Sequence, residues 1–297
     1  MKRAGSVSSR SRLSAAHGRP WLALPLIAFV LMFVGLPIVM LLCASLSGDE
    51  GWGLTNFQRF LTDGLSLPVL GRTLRLGVET SALALLLGYP LALLFVASPP
   101  WRQKPFVLLI VLPLLTSAVV RTFAWVVILG RQGLINETLL NLGLIGAPAP
   151  LLYTEPMLVA ALAQIELPIV ALPIISALSA IDPRLHEAAV ELGAGRWGTL
   201  LNVTLPLSLH GIVAGVLLVF AASCSALVTQ SIIGGGRLIF MPLYIYQQGM
   251  QAQNWPFAAA ISLMLLVSVL AVVATLNAFG RLAPNCTRSR SRIGPPG

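Results

Sequence analysis

Charged side chains are scarce in this sequence. Lys, Arg, Asp and Glu make up 10% of its 297 residues, whereas soluble domains carry about a quarter. Apolar residue types account for 57% of the chain. A chain of this composition belongs in a lipid bilayer rather than among soluble globular enzymes.

Motifs for catalysis, metal binding or nucleotide binding are also missing. The three cysteines, Cys43, Cys224 and Cys286, are odd in number and far apart, so they suggest neither a disulfide framework nor a metal site. No Gly-Lys-Ser/Thr follows the three glycines at 234–236, which we interpret as a helix break. We therefore predict no catalytic residue, metal or bound cofactor in this chain.

The alternating apolar and polar pattern of transmembrane β-strands is absent from the sequence, which instead contains long runs without charge. Several runs reach the roughly 20 apolar residues that one helical span needs. We predict an all-α membrane domain at 21–280, flanked by disordered basic tails at 1–20 and 281–297. The predicted spans are 21–46, 73–97, 106–129, 156–180, 207–233 and 256–280.

The basic residues are distributed unevenly between the two sides that six spans define. Lys and Arg next to spans are retained in the cytoplasm, so the side that holds most of them is predicted to be cytoplasmic. Both termini lie on that side. The net charge of +9 is thereby explained by topology, and we predict no nucleic-acid partner. The majority side holds 13 of the 19 basic residues: Lys2, Arg3, Arg10, Arg12, Arg19, Arg102, Lys104, Arg184, Arg196, Arg281, Arg288, Arg290 and Arg292.

The longest segment between spans on this side runs over 182–208 and carries helix punctuation. Asp182 can cap a helix that begins at Pro183, and Gly193 can end it in the left-handed conformation. A second short helix over 196–203 should stop near Pro206. The pattern predicts two short helices joined by a glycine elbow.

Two interpretations of this segment remain open from the residues alone. Ala188 and Ala189 would form a small-residue patch that lets a partner approach, while Arg184, Glu187 and Arg196 set the register by charge. The alternative is an amphipathic connector that lies on the membrane surface.

The same segment resembles the cytoplasmic signature of permeases of ATP-binding-cassette (ABC) importers. That signature reads Glu-Ala-Ala, three residues, Gly, nine residues, an Ile-like residue, one residue and Leu-Pro. The resemblance implies a type I ABC-importer permease fold in which residues 182–206 form the coupling segment, seated in a cleft of the ATPase. The matching positions are Glu187, Ala188, Ala189, Gly193, Val203, Leu205 and Pro206, with Val203 as the one conservative departure.

Three further stretches, at 121–140, 151–156 and 205–220, are similar to the spermidine/putrescine branch of these permeases, and the likeness covers about 20–280. It implies a bacterial inner-membrane permease that imports a small amine, such as a polyamine, from a periplasmic binding protein. The implied partners are a second permease and two ATPase subunits. Another small organic solute, or a secondary transporter driven by an ion gradient, is the alternative.

Two carboxylates fall inside predicted spans, where ionisable residues are costly and often functional. At 1.5 Å per residue, Glu166 lies near the midplane and Glu79 nearer the outer face. Glu166, Glu79 and Gln164 are therefore candidates for the substrate pathway. Alternatively, Glu166 pairs with Arg121 or a partner's cation and locks helix packing, with Gln164 in the same cluster.

The outer loop at 131–154 contains apolar residues at near-helical spacing. We predict a short amphipathic helix with Asn136 and Glu137 on its exposed polar face. The family resemblance implies that such a loop touches the solute-binding protein, and packing on the ends of the spans is the alternative.

Overall fold

The computed structural model of the protein describes residues 24–48 and 51–282. The predicted tails lie outside these ranges, apart from the last two residues of the final helix. Within them, β1 (Ser47–Gly48) pairs antiparallel with β2 (Gly51–Trp52), a short hairpin that the helical prediction did not include. The helices are α1 Leu24–Val30, α2 Leu36–Leu46, α3 Thr55–Thr62, α4 Ser66–Ala97, α5 Pro100–Leu115, α6 Ala118–Leu129, α7 Leu134–Asn141, α8 Glu155–Ser179, α9 Pro183–Glu191, α10 Arg196–Thr199, α11 Leu205–Ser225, α12 Leu227–Gly234, α13 Met241–Tyr246 and α14 Trp255–Leu282.

Six helical stretches in these ranges are long and apolar enough to cross a membrane, which confirms the predicted number of spans. In the first, α1 and α2 join through a π-helical turn at Leu31–Gly35. The second begins earlier than predicted, because α4 starts at Ser66. The six are Ala28–Leu46, Ser66–Ala97, Ala118–Asn141, Glu155–Ser179, Arg196–Ser225 and Trp255–Ala278.

Two predicted spans are not continuous helices. The run at 106–129 breaks at Thr116 and Ser117, whose ψ angles of 140° and 136° are extended. The run at 207–233 breaks at Ala226, where φ is −75° and ψ is 64°. Such breaks are tolerated at membrane depth where the freed backbone lines a cavity or is covered by protein.

The centre of the fold is a bundle of α4, α8 and α11. Val170 of α8 is fully buried between Gly88 of α4 and Gly215 of α11. A Cβ on Gly215 would lie 2.9 Å from the Val170 carbonyl oxygen, so the close approach requires glycine. Small residues at contacts are how helices associate in lipid, where apolar burial alone favours no partner. This packing fixes the depth and rotation of α8.

One end of the bundle carries α9 and is called the α9 end, and the opposite end carries α3 and α7. The predicted helix at 131–154 is α7, but Asn136 is fully buried rather than exposed. Its Nδ2 donates to the carbonyl oxygens of Gly130 (3.0 Å) and Ala149 (3.1 Å), and its Oδ1 accepts from the Ala149 N–H (2.9 Å). Asn136 thus closes the loop, and Glu137 is exposed as predicted.

Candidate functional site

The α9 segment begins with the predicted cap. Oδ1 of Asp182 accepts a hydrogen bond of 3.0 Å from the N–H of Arg184, and Pro183 occupies the first turn, where its missing N–H is not needed. Gly193 has φ of +81°, a conformation that glycine adopts without strain. The predicted first helix and its glycine elbow are confirmed.

The second predicted helix does not stop at Pro206. Instead α10, a π-helical turn at Leu200–Thr204 and α11 form one helix from Arg196 to Ser225. In the π-helical turn the Leu205 N–H donates to the Leu200 carbonyl. Such local widening lets a membrane helix accommodate a proline that lacks its own N–H. Leu205 and Pro206 therefore lie within this long helix and not in a separate connector.

The surface of the α9 end combines charge with large apolar side chains. Arg184, Glu187, Ala188 and Arg196 are exposed as expected, whereas Ala189 is only 9% exposed and packs inward. The predicted patch of two alanines is therefore wrong for Ala189. Beside these residues, Leu192 is 88% exposed and Trp197 is 77% exposed. An exposed mixture of charged and apolar side chains is typical of a surface that contacts a partner protein or the membrane.

A side-chain contact holds α9 against the following helix. Nε2 of His186 lies 3.2 Å from Oγ1 of Thr204 in the π-helical turn. The elbow at Gly193 lets the chain reverse between them. This contact therefore links α9 to the helix that continues into α11.

A cavity of about 340 Å³ lies next to the break between α11 and α12. This volume is at the lower end of the range for small-molecule sites. The residues lining it from α6, α8, the break and α12 include Ala118, Arg121, Ile165, Glu166, Ala226 and Thr229. The cavity thus collects the two ionisable residues that the sequence places inside spans 3 and 4.

Glu166 lines this cavity and is 5% exposed. Its Oε2 is enclosed and accepts no hydrogen bond from any residue that the structure describes. Two residues later in α8, Pro168 lacks an N–H, so the carbonyl of Gln164 loses its helical partner. A buried carboxylate oxygen without a donor is energetically costly, and the enclosed hydroxyl of Ser223 lies near this carboxylate.

Arg121 approaches Glu166 without pairing with it. Its Nη1 donates a 2.9 Å hydrogen bond to the carbonyl of Ile165, while its Nε is enclosed without an acceptor among the described residues. No Arg121 nitrogen lies within 4.0 Å of a Glu166 oxygen. The predicted alternative in which these two residues form an ion pair is wrong for this conformation.

Gln164 and Glu79 do not join Glu166. Oε1 of Gln164 accepts a 3.1 Å hydrogen bond from Nε1 of Trp125 and faces a second cavity, of about 460 Å³, on the other side of Arg121. Glu79 forms an ion pair of 2.6 Å with Arg75 on the surface of α4 and lines neither cavity. Of the three candidates for a substrate pathway, Glu166 alone lines the 340 Å³ cavity.

Polar residues around the break were not predicted as functional. Nε2 of Gln230 donates a 2.7 Å hydrogen bond to the Ser223 carbonyl, which the break frees from the helical pattern. The hydroxyls of Thr122 and Thr229 lie 3.0 Å apart and link α6 to α12. The signal that could have found Ser223, Thr229 and Gln230 is the cluster of Ser, Thr and Gln within the apolar run at 207–233.

The comparison with protein families matches residues 13–281 to the family described as "Binding-protein-dependent transport system inner membrane component". This match spans all six apolar stretches and the α9 segment. The chain belongs to this family. It is therefore a permease subunit of an ABC importer and a multi-pass protein of the inner membrane.

Two relatives are spermidine/putrescine transport system permease proteins PotB. The permease is 30% identical over 249 residues to that of Haemophilus influenzae, a match that covers 81% of this chain and 86% of the relative. It is 31% identical over 250 residues to that of Escherichia coli strain K12, covering 82% and 90%. These matches confirm the predicted branch of the family.

A solved structure confirms the fold. The chain superimposes on the crystal structure of a bacterial ABC transporter that imports the acidic polysaccharide alginate, with a TM-score of 0.71 and 22% sequence identity. The match covers 88% of this chain and 94% of the other. Since that transporter's cargo is described as an acidic polysaccharide, this shared fold does not determine the substrate.

Proposed function

We propose that this permease forms one half of the pore of an ABC importer, pairs with a second permease, and is driven by two ATPase subunits that contact its α9 segment. The observation that carries this proposal is the surface of the α9 end, where Glu187, Leu192 and Trp197 are all exposed to solvent. A partner that covers this surface would remove large apolar side chains from water, which is favourable. The contact of His186 with Thr204 would transmit a movement of α9 to the fifth span.

The proposed orientation places the α9 end and both termini in the cytoplasm. It is supported by the 13 of 19 basic residues that six spans assign to this side. The opposite end, with α3 and α7, then faces the periplasm and receives the solute from a binding protein. Labelling of single cysteines at Glu187 and Glu137 with an impermeant reagent tests this orientation. In intact spheroplasts only the Glu137→Cys protein should react.

The proposed cargo is a small amine, and a polyamine such as spermidine or putrescine is the first candidate because of the PotB relatives. Glu166 would receive an ammonium group in the cavity, since a buried carboxylate is stabilised by a paired cation. The second candidate is another small organic solute. The positive charge of Arg121 on the same cavity favours this second candidate.

The coupling role is tested by Glu187→Arg, which reverses the charge at the centre of the exposed surface. The variant should insert into the membrane normally but lose copurification with the ATPase and lose uptake. A matched reversal at the other end of the bundle, Glu137→Arg on the exposed face of α7, should keep the ATPase bound. Normal uptake by the Glu187→Arg protein would refute the coupling assignment.

A further inference from the structure

Glu166 and Arg121 line one cavity with opposite charges and do not neutralise each other. Both residues are costly at this depth, and a direct ion pair would be the simplest way to lower that cost. Arg121 instead donates to the carbonyl of Ile165, the neighbour of Glu166 in α8. The structure therefore places a carboxyl group and a guanidinium group on one cavity without an ion pair between them.

The charges of the cavity oppose a ligand of a single sign. All other residues that line it are uncharged, so its formal charges sum to zero. A diamine would meet Glu166 but carry a second positive charge towards Arg121. A dicarboxylate would meet Arg121 but be repelled by Glu166. A ligand with one ammonium and one carboxylate group satisfies both residues.

The break between α11 and α12 places one helix end that favours a cation and one that favours an anion beside the cavity. Ser225 at the C-terminal end of α11 and Leu227 at the N-terminal end of α12 both line the cavity. A helix C terminus presents carbonyl groups that favour a cation, and a helix N terminus presents free N–H groups that favour an anion. Discontinuous membrane helices use such ends to hold substrate carboxylates and cations.

We propose that this cavity binds a small zwitterion, with its ammonium group at Glu166 and its carboxylate at Arg121 and the N terminus of α12. The proposal rests on the importer function above and narrows its small amine to one that carries a carboxylate. It replaces a polyamine as the ligand of this cavity. Arg121 is then the residue that determines specificity.

The test compares three ligands of similar length: putrescine, γ-aminobutyrate and succinate. Binding is measured by calorimetry on the complete membrane complex in nanodiscs, without the binding protein, so that the permease cavity alone selects. We expect γ-aminobutyrate to bind about tenfold or more tightly than either of the others, as expected for one additional charged hydrogen bond. Tightest binding of putrescine, or no binding of γ-aminobutyrate, would overturn the proposal.

Substitution of Arg121 and of Glu166 should weaken the binding of different ligands. A purely structural role of either residue would weaken the binding of all three ligands alike. Arg121→Gln should weaken γ-aminobutyrate binding by about 10- to 100-fold and leave putrescine binding equal or stronger, because a repulsion is removed. Glu166→Gln should weaken γ-aminobutyrate and putrescine but not succinate. Arg72→Gln, at an exposed position of α4 outside the cavity, is the control and should leave the order of affinities unchanged.

The outcomes separate this proposal from the importer function. If Arg121→Gln weakens all three ligands equally, Arg121 is structural and the zwitterion site is refuted, while coupling through Glu187 still stands. If Arg121→Gln does not assemble, Arg121→Lys keeps the charge but loses the paired donors. It should then retain the ligand order with weaker γ-aminobutyrate binding, and a reversed order would count against the site.

Discussion

The Tyr244 hydroxyl donates a hydrogen bond of 2.9 Å to Oδ2 of Asp63, a residue 181 positions earlier in the chain. Ser66, at the start of α4, donates to the same oxygen at 2.9 Å. Together they fasten α13 to the junction of α3 and α4. Burial acts to raise the pKa of Asp63. The hydrogen bonds from Tyr244, Ser66 and the Leu65 N–H, with the charge of Arg59, outweigh burial and lower the pKa below its ordinary value of 3.8.

Tyr244→Phe removes this bond while keeping the ring. We expect a loss of about 1 kcal/mol of stability, since Asp63 is partly exposed and water replaces the lost donor. Because the pKa of Asp63 is lowered on folding, the ionised carboxylate contributes stability above pH 3.8 that is lost as the pH falls through the folded pKa. The difference in thermal unfolding between the variant and the wild type should thus be constant near neutral pH and shrink below pH 3.8. A difference that grows on acidification would contradict this account.

The sequence was sufficient for features that depend on composition or on short-range chemistry. The number of spans, six, follows from the apolar runs. The start of α9 follows from Asp182 before Pro183, because a helix cap involves only residues of the first turn. The left-handed Gly193 follows for the same reason. Each of these involves residues within a few positions of one another.

Features that depend on contacts between distant elements could not be derived in this way. The breaks at Thr116 and Ala226 leave the hydropathy of their runs unchanged, so an apolar window does not detect them. Ala188 and Ala189 have the same chemistry, and only the position of α10 and the π-helical turn at Leu200–Thr204 decides which is covered. The burial of Asn136 depends on its hydrogen bonds to the carbonyls of Gly130 and Ala149, which the fold of the loop brings close to it.

Gly235 lies under the ring of Tyr153, where a Cβ would overlap the aromatic carbons. It also has φ of +57°, and its neighbour Gly236 has φ of +70° with open space around it. Alanine at either position incurs the left-handed strain, about 1 kcal/mol. Only Gly235→Ala should add the overlap, so it should destabilise the permease by about 1–3 kcal/mol more than Gly236→Ala. Equal melting temperatures for the two variants would show that Tyr153 moves freely aside.

The cap at Asp182 is predicted to set the strength of coupling. Asp182→Ala removes the acceptor for the Arg184 N–H and should cost about 1 kcal/mol in the stability of α9. Asp182→Asn keeps a side-chain oxygen and should behave like the wild type. We expect ATPase copurification and uptake to fall in the alanine variant only, as measured in membranes with equal permease content. Equal losses in both variants would point to the charge of Asp182 instead of its cap.

Gln230 is predicted to stabilise the break between α11 and α12. Gln230→Leu keeps the size of a fully buried side chain but leaves the Ser223 carbonyl with only the long 3.4 Å hydrogen bond from the Ala226 N–H, at a cost of about 1–3 kcal/mol. The effect should appear as a lower melting temperature together with weaker ligand binding in the cavity, because Ser225 and Ala226 line it. Gln230→Glu keeps an oxygen but no donor, so it should not rescue the loss. Rescue by glutamate would show that the donor is dispensable.

Glu166 and Glu79 are predicted to differ sharply in their effect on uptake, although both lie in apolar spans. Glu79 pairs with Arg75 at the surface, where the two side chains are 36% and 70% exposed, so Glu79→Gln should change stability by less than about 1 kcal/mol and leave uptake intact. Glu166→Gln should lower uptake of an amine about tenfold or more, since the ammonium loses its counter-charge. Assembly with the ATPase, followed by copurification, should survive in both variants. If Glu166→Gln instead prevents assembly, the carboxylate holds the helices together and does not meet the cargo.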